Sequence, residues 1–380
     1  MKISACVITK NEERNLPLWL DSMKRVADEL IVVDTGSEDR TVEAAREGGA
    51  KVFSFPWIDD FAAAKNFALE KASGEWILFL DADEYFPRED CPKVKSVLGE
   101  YDEEHKVVGF AFCVVNIDKD TGRHLGGTCA ELRCFRNRPW LRYAGRIHEQ
   151  LVDVSEEERH AEKVIQYVPD ITVYHTGYTQ SLMEEKSKRN LRLLEKLREE
   201  GRGRDEDFIY LADAYYGLGE YEKAIEASKE AIRRKVEAMG LTNRPHTILI
   251  QSLLMAGHSP REVREALACA VERYPRMPEY HLFWGLFAWD CREYDEAEAH
   301  FLKGFDLRHI ADIRGSKDAM LEDNSLDLLP GAYFYMGEIS RRKGHLQEAA
   351  HYYSETLKMS PDNAKAMQAY REVMREGWAE

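Results

Sequence analysis

Residues 76–86 read Trp-Ile-Leu-Phe-Leu-Asp-Ala-Asp-Glu-Tyr-Phe, WILFLDADEYF. Five apolar residues run without alternation into Asp81, Asp83 and Glu84. A short, unbroken apolar run that ends at a turn reads as a strand buried on both faces. Working outward, Ile3–Thr9 is a second such strand, and Asn15-Leu16-Pro17 opens a helix with its proline tolerated in the first turn. Leu30–Val33 is a strand ending at Asp34, and Thr41–Glu47 is a helix stopping at Gly48-Gly49. Lys51–Phe55 is a strand, and Phe61–Ala72 is a helix with Gly74 just past its end. The order βαβαβαβ predicts a parallel sheet with helices on both faces.

In open α/β sheets, ligands sit outside the carboxyl ends of the strands. Three polar clusters fall there: Thr9-Lys10-Asn11-Glu12, Asp34-Thr35-Gly36-Ser37 and Asp81-Ala82-Asp83. Asp81 and Asp83 flank one residue, so on an extended chain both point the same way and could meet one cation. A small set of oxygen ligands suits Mg²⁺ or Mn²⁺, which keep waters and take substrate phosphates. Two unpaired carboxylates at a buried edge need a counter-charge, and a metal with a diphosphate supplies one. The plainer reading is a solvated acidic loop.

The 380 residues leave room for two domains. A net charge of -16 argues against a nucleic-acid surface, which needs a basic footprint. The amino-terminal MKISACVITKNEE has too short an apolar run for a signal peptide. No stretch approaches the roughly 20 apolar residues of a membrane span. Cys6, Cys91, Cys113, Cys129, Cys134, Cys269 and Cys291 are scattered, with no CxxC pair. They read as free thiols, and the expected location is the cytoplasm.

Shorter strands are expected at Val107–Val115, Glu131–Arg136 and Ile171–His175, as the α+β remainder of a domain over residues 1–180. Residues 181–380 read as entirely helical. Phe208–Leu218 pairs with Glu222–Arg233, Thr247–Met255 with Pro260–Glu272, Tyr280–Trp289 with Asp295–Phe305, and Tyr333–Lys343 with Gln347–Leu357. The equivalent small positions Ala224, Val263, Ala297 and Ala349 recur near the period of about 34 residues of tetratricopeptide repeats. The longer last step places an insertion at Arg308–Leu329. The wording LADAYYGLGEYEKAIEASKEAI resembles the tetratricopeptide family. Such repeats form extended surfaces that hold peptides or dimerise, and this tail is expected to supply no catalytic groups.

ISACVITKNEERNLPLWL, ELIVVDTGSEDRT, WIDDFAAAKNFAL and GEWILFLDADEYF, in that order, resemble glycosyltransferase family 2 with the GT-A nucleotide-diphospho-sugar fold, through about residue 180. With the repeat tail, the chain resembles bacterial peptide S-glycosyltransferases of glycocin (sublancin-type) biosynthesis and related lipopolysaccharide-core glucosyltransferases. The resemblance implies that Thr9 and Glu12 meet the nucleotide's base and ribose. It implies that Asp34 accepts the imide N–H of uracil and that Lys65 lies near the nucleotide and phosphates. Asp81 is implied at the ribose or a metal-bound water, and Asp83 at the metal. On the residues alone, Asp34 could equally cap its turn with Ser37, and Lys65 could be a solvated helix charge.

Arg146-Ile147-His148-Glu149 resembles the family segment that carries the general base, which removes the acceptor's proton as it attacks the anomeric carbon. Glu149 is the first choice and His148 the competitor. Val152 breaks an HExxH pattern and excludes a zinc-protease reading. His175, at the end of a strand, either completes the metal site or is an ordinary hydrogen-bonded histidine. Arg133 and Arg136 either face one side toward diphosphate or acceptor, or are solvated. Asp60, after Trp57 and Asp59, is placed to cap the third helix.

These readings converge on metal-dependent, inverting transfer of a sugar from a nucleotide diphosphate, expected to be UDP, to a peptide Cys or Ser/Thr. A lipopolysaccharide or other glycan is the alternative acceptor. Two other classes compete. A tetratricopeptide adaptor with an inactive transferase domain would not need the intact DAD and Asp34. A nucleotidyltransferase would carry a glycine-rich basic loop, which ITKNEERN lacks.

Overall fold

A computed structural model of the chain describes residues 1–104, 106–118, 122, 124–155, 163–177, 180–238, 240–309 and 321–376. They divide into two compact units, Met1–Leu125 with Cys129–Gly219, and Gly126–Thr128 with Glu220–Glu380.

In the first unit β1 (Ile3–Thr9), α1 (Leu16–Val26), β2 (Glu29–Asp34), α2 (Thr41–Glu47), β3 (Lys51–Ser54), α3 (Phe61–Lys71) and β4 (Trp76–Phe79) follow the expected βαβαβαβ order. β2 and β4 flank β1 in parallel, with Thr9 opposite Asp34 and Cys6 opposite Phe79. Strand alternation sends Ala5, Val7, Trp76 and Leu78 into one core with Trp19 and Met23 of α1. Cys6, Ile31, Val33, Ile77 and Phe79 enter the other core with Ala68 and Leu69 of α3. Burial on both faces is why these strands carry no polar alternation, and each large apolar side chain so buried contributes about 1.5–3 kcal/mol.

The unit continues with β5 (Glu84–Tyr85), α4 (Cys91–Glu100), β6 (Val107–Ile117), β7 (His124–Arg136), β8 (Leu141–Ala144), β9 (Gln150–Asp153) and β10 (Val164–His175). The sheet order is β3-β2-β1-β4-β7-β6-β10-β5, and β8 and β9 form a separate antiparallel ribbon. β7 runs antiparallel to β4, so the sheet is mixed rather than wholly parallel. β6, β7 and β10 are 11, 13 and 12 residues long, longer than the short strands expected. Gly126-Gly127 and Pro169 punctuate two of them in sequence, and the pairing of β10 with β6 slips between Val168 and Thr172, around that proline.

Helices α5 (Gln180–Glu199) and α6 (Asp207–Gly217) complete the first unit. The domain boundary expected at residue 180 therefore differs from this division by two helices. The second unit holds α7 (Tyr221–Arg234), α8 (Arg244–Met255), α9 (Pro260–Arg273), α10 (Pro278–Asp290), α11 (Tyr294–His309), α12 (Ser325–Arg342), α13 (Leu346–Met359) and α14 (Ala364–Glu376). The expected pairs α8–α9, α10–α11 and α12–α13 are present, whereas the expected first pair falls on α6 and α7, which belong to different units. The same lock recurs in two pairs. A Cβ on Gly285 of α10 would lie 2.5 Å from the Phe301 ring of α11, and one on Gly337 of α12 would lie 2.5 Å from the Tyr353 ring of α13. Much of the insertion expected at Arg308–Leu329 lies outside the described residues. No helix among the described residues is long and apolar enough to cross a membrane.

Candidate active site

Strand β2 carries a buried carboxylate at each end, and the two differ in how they are satisfied. At its start, Glu29 accepts from Ser4 Oγ at 2.5 Å, from the Ser73 N–H and Oγ at 2.7 Å each, and from Lys51 Nζ at 2.9 Å. Burial works to raise its pKa, but these donors hold it down to about 2. At the other end, Oδ2 of Asp34 accepts from the Gly36 and Ser37 amides at 3.1 Å each. The turn is thus capped, as one reading expected. Oδ1 of Asp34 is buried with no hydrogen-bond partner, and so is Oγ1 of the neighbouring Thr9. Buried polar atoms are rarely left without a partner, and these two lie side by side at the carboxyl edge with hydrogen-bonding capacity to spare.

The register of β1 with β4 carries that edge toward residues 81–83. Strand β4 ends at Phe79, and a turn closed by the Glu84 N–H to the Asp81 carbonyl at 3.0 Å follows. The extended geometry expected of Asp81 and Asp83 is therefore absent, and the two carboxylates meet different neighbours. Asp81 lies 3.4 Å from Lys65 Nζ and 3.7 Å from Arg133. Desolvation works to raise the Asp81 pKa, and Lys65 and then Arg133 outweigh it, so the group stays ionised. Its counter-charge is already present in the protein, which corrects the argument that a metal must supply it. Still, 46% of its side chain remains open to an incoming group.

Lys65 is buried, with its Nζ 2.7 Å from Glu149 Oε1 and about equally placed over the Phe79 and Tyr143 rings at 5.0 and 5.3 Å. It is not a solvated helix charge. Burial opposes its charge, but Asp81 and Glu149 hold its pKa above the usual lysine range. Asp60 caps α3 as expected, with Oδ1 accepting from the Ala63 N–H at 2.8 Å. Arg133 grips the third carboxylate of the opening stretch, donating to Glu84 at 2.8 and 2.6 Å. Arg136 instead lies over the Trp76 ring and donates to the carbonyls of Val107, Tyr101 and Asp102. Neither arginine is simply solvated, and they do not share a side, because residues three apart on a strand face opposite ways.

Asp83 meets His175, Oδ2 to Nε2 at 3.2 Å, while His175 Nδ1 lies 2.8 Å from Asn116 Oδ1. The amide oxygen can only accept, so Nδ1 carries a proton. The Thr176 N–H and hydroxyl both donate to the Asp83 carbonyl, at 2.9 and 3.0 Å. A Cβ on Gly177 would lie 2.0 Å from Asp83 Oδ2, so any larger residue there must displace the carboxylate. Among the described residues, no group of three or more His, Cys, Asp or Glu side chains is assembled to hold a metal. Asp83 and His175 nevertheless form an oxygen and nitrogen pair, and the Asn116 contact at the other ring nitrogen fixes the imidazole's orientation, as hydrogen-bond partners of metal-ligating histidines do.

Glu12 accepts from Asn15 Nδ2 at 2.9 Å, and burial raises its pKa. In the Arg146–Glu149 segment, His148 has φ +50° and stacks on Tyr210 of α6 with ring centroids 3.5 Å apart. Its Nε2 is buried without a partner, and burial, then Arg204 and Arg189, push its pKa down to about 3. The helical tail was expected to supply no catalytic groups; its first two helices do place side chains beside these residues, with Lys186 of α5 3.8 Å from Asp83 and Tyr210 of α6 stacked on His148, the neighbour of Glu149. Glu84, Asn116, Lys186 and Tyr210 contact the candidate residues, and motif reading missed them. Only Glu84, inside the quoted stretch, carried a local signal.

Residues 4–151 match the family model described as glycosyl transferase family 2, and residues 330–363 and 211–235 match tetratricopeptide-repeat models. The chain is 35% identical over 187 residues to a TPR repeat-containing protein of Synechococcus elongatus, covering 49% of this chain and 44% of that one. It is 26% identical over 238 residues to the SPbeta prophage-derived glycosyltransferase SunS of Bacillus subtilis, covering 60% of this chain and 53% of SunS. The chain thus spans about half the length of these curated relatives. The crystal structure of S. aureus TarS is a distant likeness, with 18% identity and a TM-score of 0.37 over 70% of this chain and 55% of that one.

Proposed function

From an amino-terminal domain of glycosyl transferase family 2 followed by tetratricopeptide repeats, we propose that this chain moves a sugar from a nucleotide diphosphate to a peptide side chain, Cys or Ser/Thr, with inversion. The observation that carries the donor reading is the pair of unpartnered buried oxygens, Asp34 Oδ1 and Thr9 Oγ1, on the edge that leads to Asp81 and Asp83. Asp34 Oδ1 can only accept, which suits the imide N–H of a uracil. Asp83 and His175 would hold a divalent ion, which when bound neutralises charge on the leaving diphosphate. Asp81, anchored by Lys65 and Arg133, suits the ribose hydroxyls or ion-bound water.

Glu149 takes the acceptor's proton at Oε1 or Oε2. Its rival His148 is a poor base, because its ring is stacked on Tyr210 and its pKa is pushed down to about 3. The repeat unit supports a peptide acceptor, since stacked helical repeats offer extended surfaces for chains. The test is a panel of sugar nucleotides with Mg²⁺ or Mn²⁺, scored by nucleotide release with a Cys- and Ser-containing peptide or a glycan as acceptor. Turnover of a UDP-sugar that requires both ion and peptide supports the reading. Silence toward every donor defeats it, and turnover with the glycan alone reassigns the acceptor.

A further inference from the structure

We propose that Lys186 of α5, beyond the family-matched segment, binds the diphosphate of the donor; this rests on the nucleotide-donor reading above. A diphosphate arriving beside Asp81 and Asp83 adds negative charge where two carboxylates already stand, and in a partly desolvated cleft that repulsion must be met by cations. The positive side chains nearest Asp81 are already engaged. Lys65 is 8% exposed and bound to Glu149 at 2.7 Å. Arg133 is 12% exposed and bound to Glu84 and Glu131 at 2.6 Å each.

Lys186 differs from both. Its Nζ is 3.8 Å from Asp83 Oδ2 and 3.5 Å from the Gly177 carbonyl, longer than charge-assisted hydrogen bonds, which run about 2.7–2.9 Å. Its side chain is 43% exposed, so the ammonium can swing to an arriving anion. A lysine is a compact charge on a flexible stem, suited to a phosphate whose position shifts between ground and transition states. The helix does not depend on this residue for its place. Arg189 lies 5.2 Å over the Phe61 ring, and Arg192 and Lys196 each lie 3.5 Å from Asp59. Those contacts fix α5 against the start of α3 and aim Lys186 at the carboxylate pair.

The experiment is calorimetric binding of UDP, UMP, GDP and GMP to the full chain and to Lys186→Met and Lys186→Arg, with Mn²⁺ absent and present. The monophosphate shares the nucleoside end and lacks the second phosphate. Lys186→Met is expected to weaken the diphosphate about 10-fold or more, the loss of one charged hydrogen bond, while the monophosphate changes less than about twofold. Lys186→Arg is expected to recover most of the diphosphate affinity. Unchanged diphosphate binding in Lys186→Met, or equal loss of both nucleotides, overturns the assignment. If the wild-type chain binds neither UDP nor GDP, the donor reading itself fails, a distinct result that removes this assignment with it.

Discussion

The Nζ of Lys65 lies 2.7 Å from Oε1 of Glu149, with the two side chains only 8% and 12% exposed. A buried pair of this kind adds little net stability over an apolar pair, but breaking it strands a charge. Lys65→Met should therefore destabilise the first unit by about 3–5 kcal/mol, because buried Glu149 loses the cation at 2.7 Å and Asp81 is left with Arg133 alone. Combining it with Glu149→Gln should recover part of that loss, a coupling of about 0.5–3 kcal/mol. Urea unfolding of the two single variants and the double closes the cycle, and strict additivity would show the pair to be energetically independent.

Asp34→Asn separates the structural and ligand roles of one side chain. The single amide oxygen of asparagine would be drawn to the Gly36 and Ser37 amides, which already hold Oδ2 at 3.1 Å. The NH₂ would then face the place where Oδ1 now lies unpartnered. Thermal stability should change little, while UDP binding falls about 10- to 100-fold, because an acceptor becomes a donor opposite an N–H. Unchanged UDP affinity would leave Asp34 with its turn alone.

The strands and helices of the first eighty residues were legible because each signal is local: unbroken apolar runs, Pro17 in a first turn, Asp60 at a cap. The carboxyl edge was legible too, since Thr9, Asp34, Asp81 and Asp83 all follow or close strands of one sheet. What could not be read were partners chosen by tertiary packing. Nothing near Asp81 in sequence announces Arg133, nothing near His175 announces Asn116, and nothing near Glu149 announces Lys65. Asp81 and Asp83 escape two-residue alternation for a local reason: the strand stops at Phe79, and alternation stops with it. The helical pattern marked α6, within a tail read as helical from residue 181, but could not say that α5 and α6 would join the first unit.

Gly177 offers a test of the Asp83 position that removes no charged group. An added Cβ would sit 2.0 Å from Asp83 Oδ2 and 2.9 Å from His175 Nε2, so both side chains must move. Gly177→Ala should lower transfer about 100-fold, the scale of a displacement near 1 Å at a reacting site. Circular dichroism should stay native, since the change lies at the site and not in either core. Wild-type turnover would mean that Asp83 and His175 need not hold their observed arrangement.

The repeat unit carries its own titration. Glu279 is fully buried, accepting from Thr247 Oγ1 on one oxygen and from the Asn324 N–H at 2.8 Å and Nδ2 at 3.2 Å on the other. Burial is the largest influence and raises its pKa to about 8, above the unfolded value of 4.5. The folded state therefore keeps a proton that the unfolded chain releases, and raising the pH through that window favours unfolding. The unit should be most stable near the lower end, lose stability progressively from about pH 4.5 to about pH 8, and show no further loss from this group above that. Glu279→Gln keeps the acceptor and the shape without the titration, so its stability curve should be flatter across the same window. Denaturant melts of wild type and variant, followed at several pH values, decide the matter: parallel curves would mean that Glu279 ionises in the folded unit much as it does in the unfolded chain.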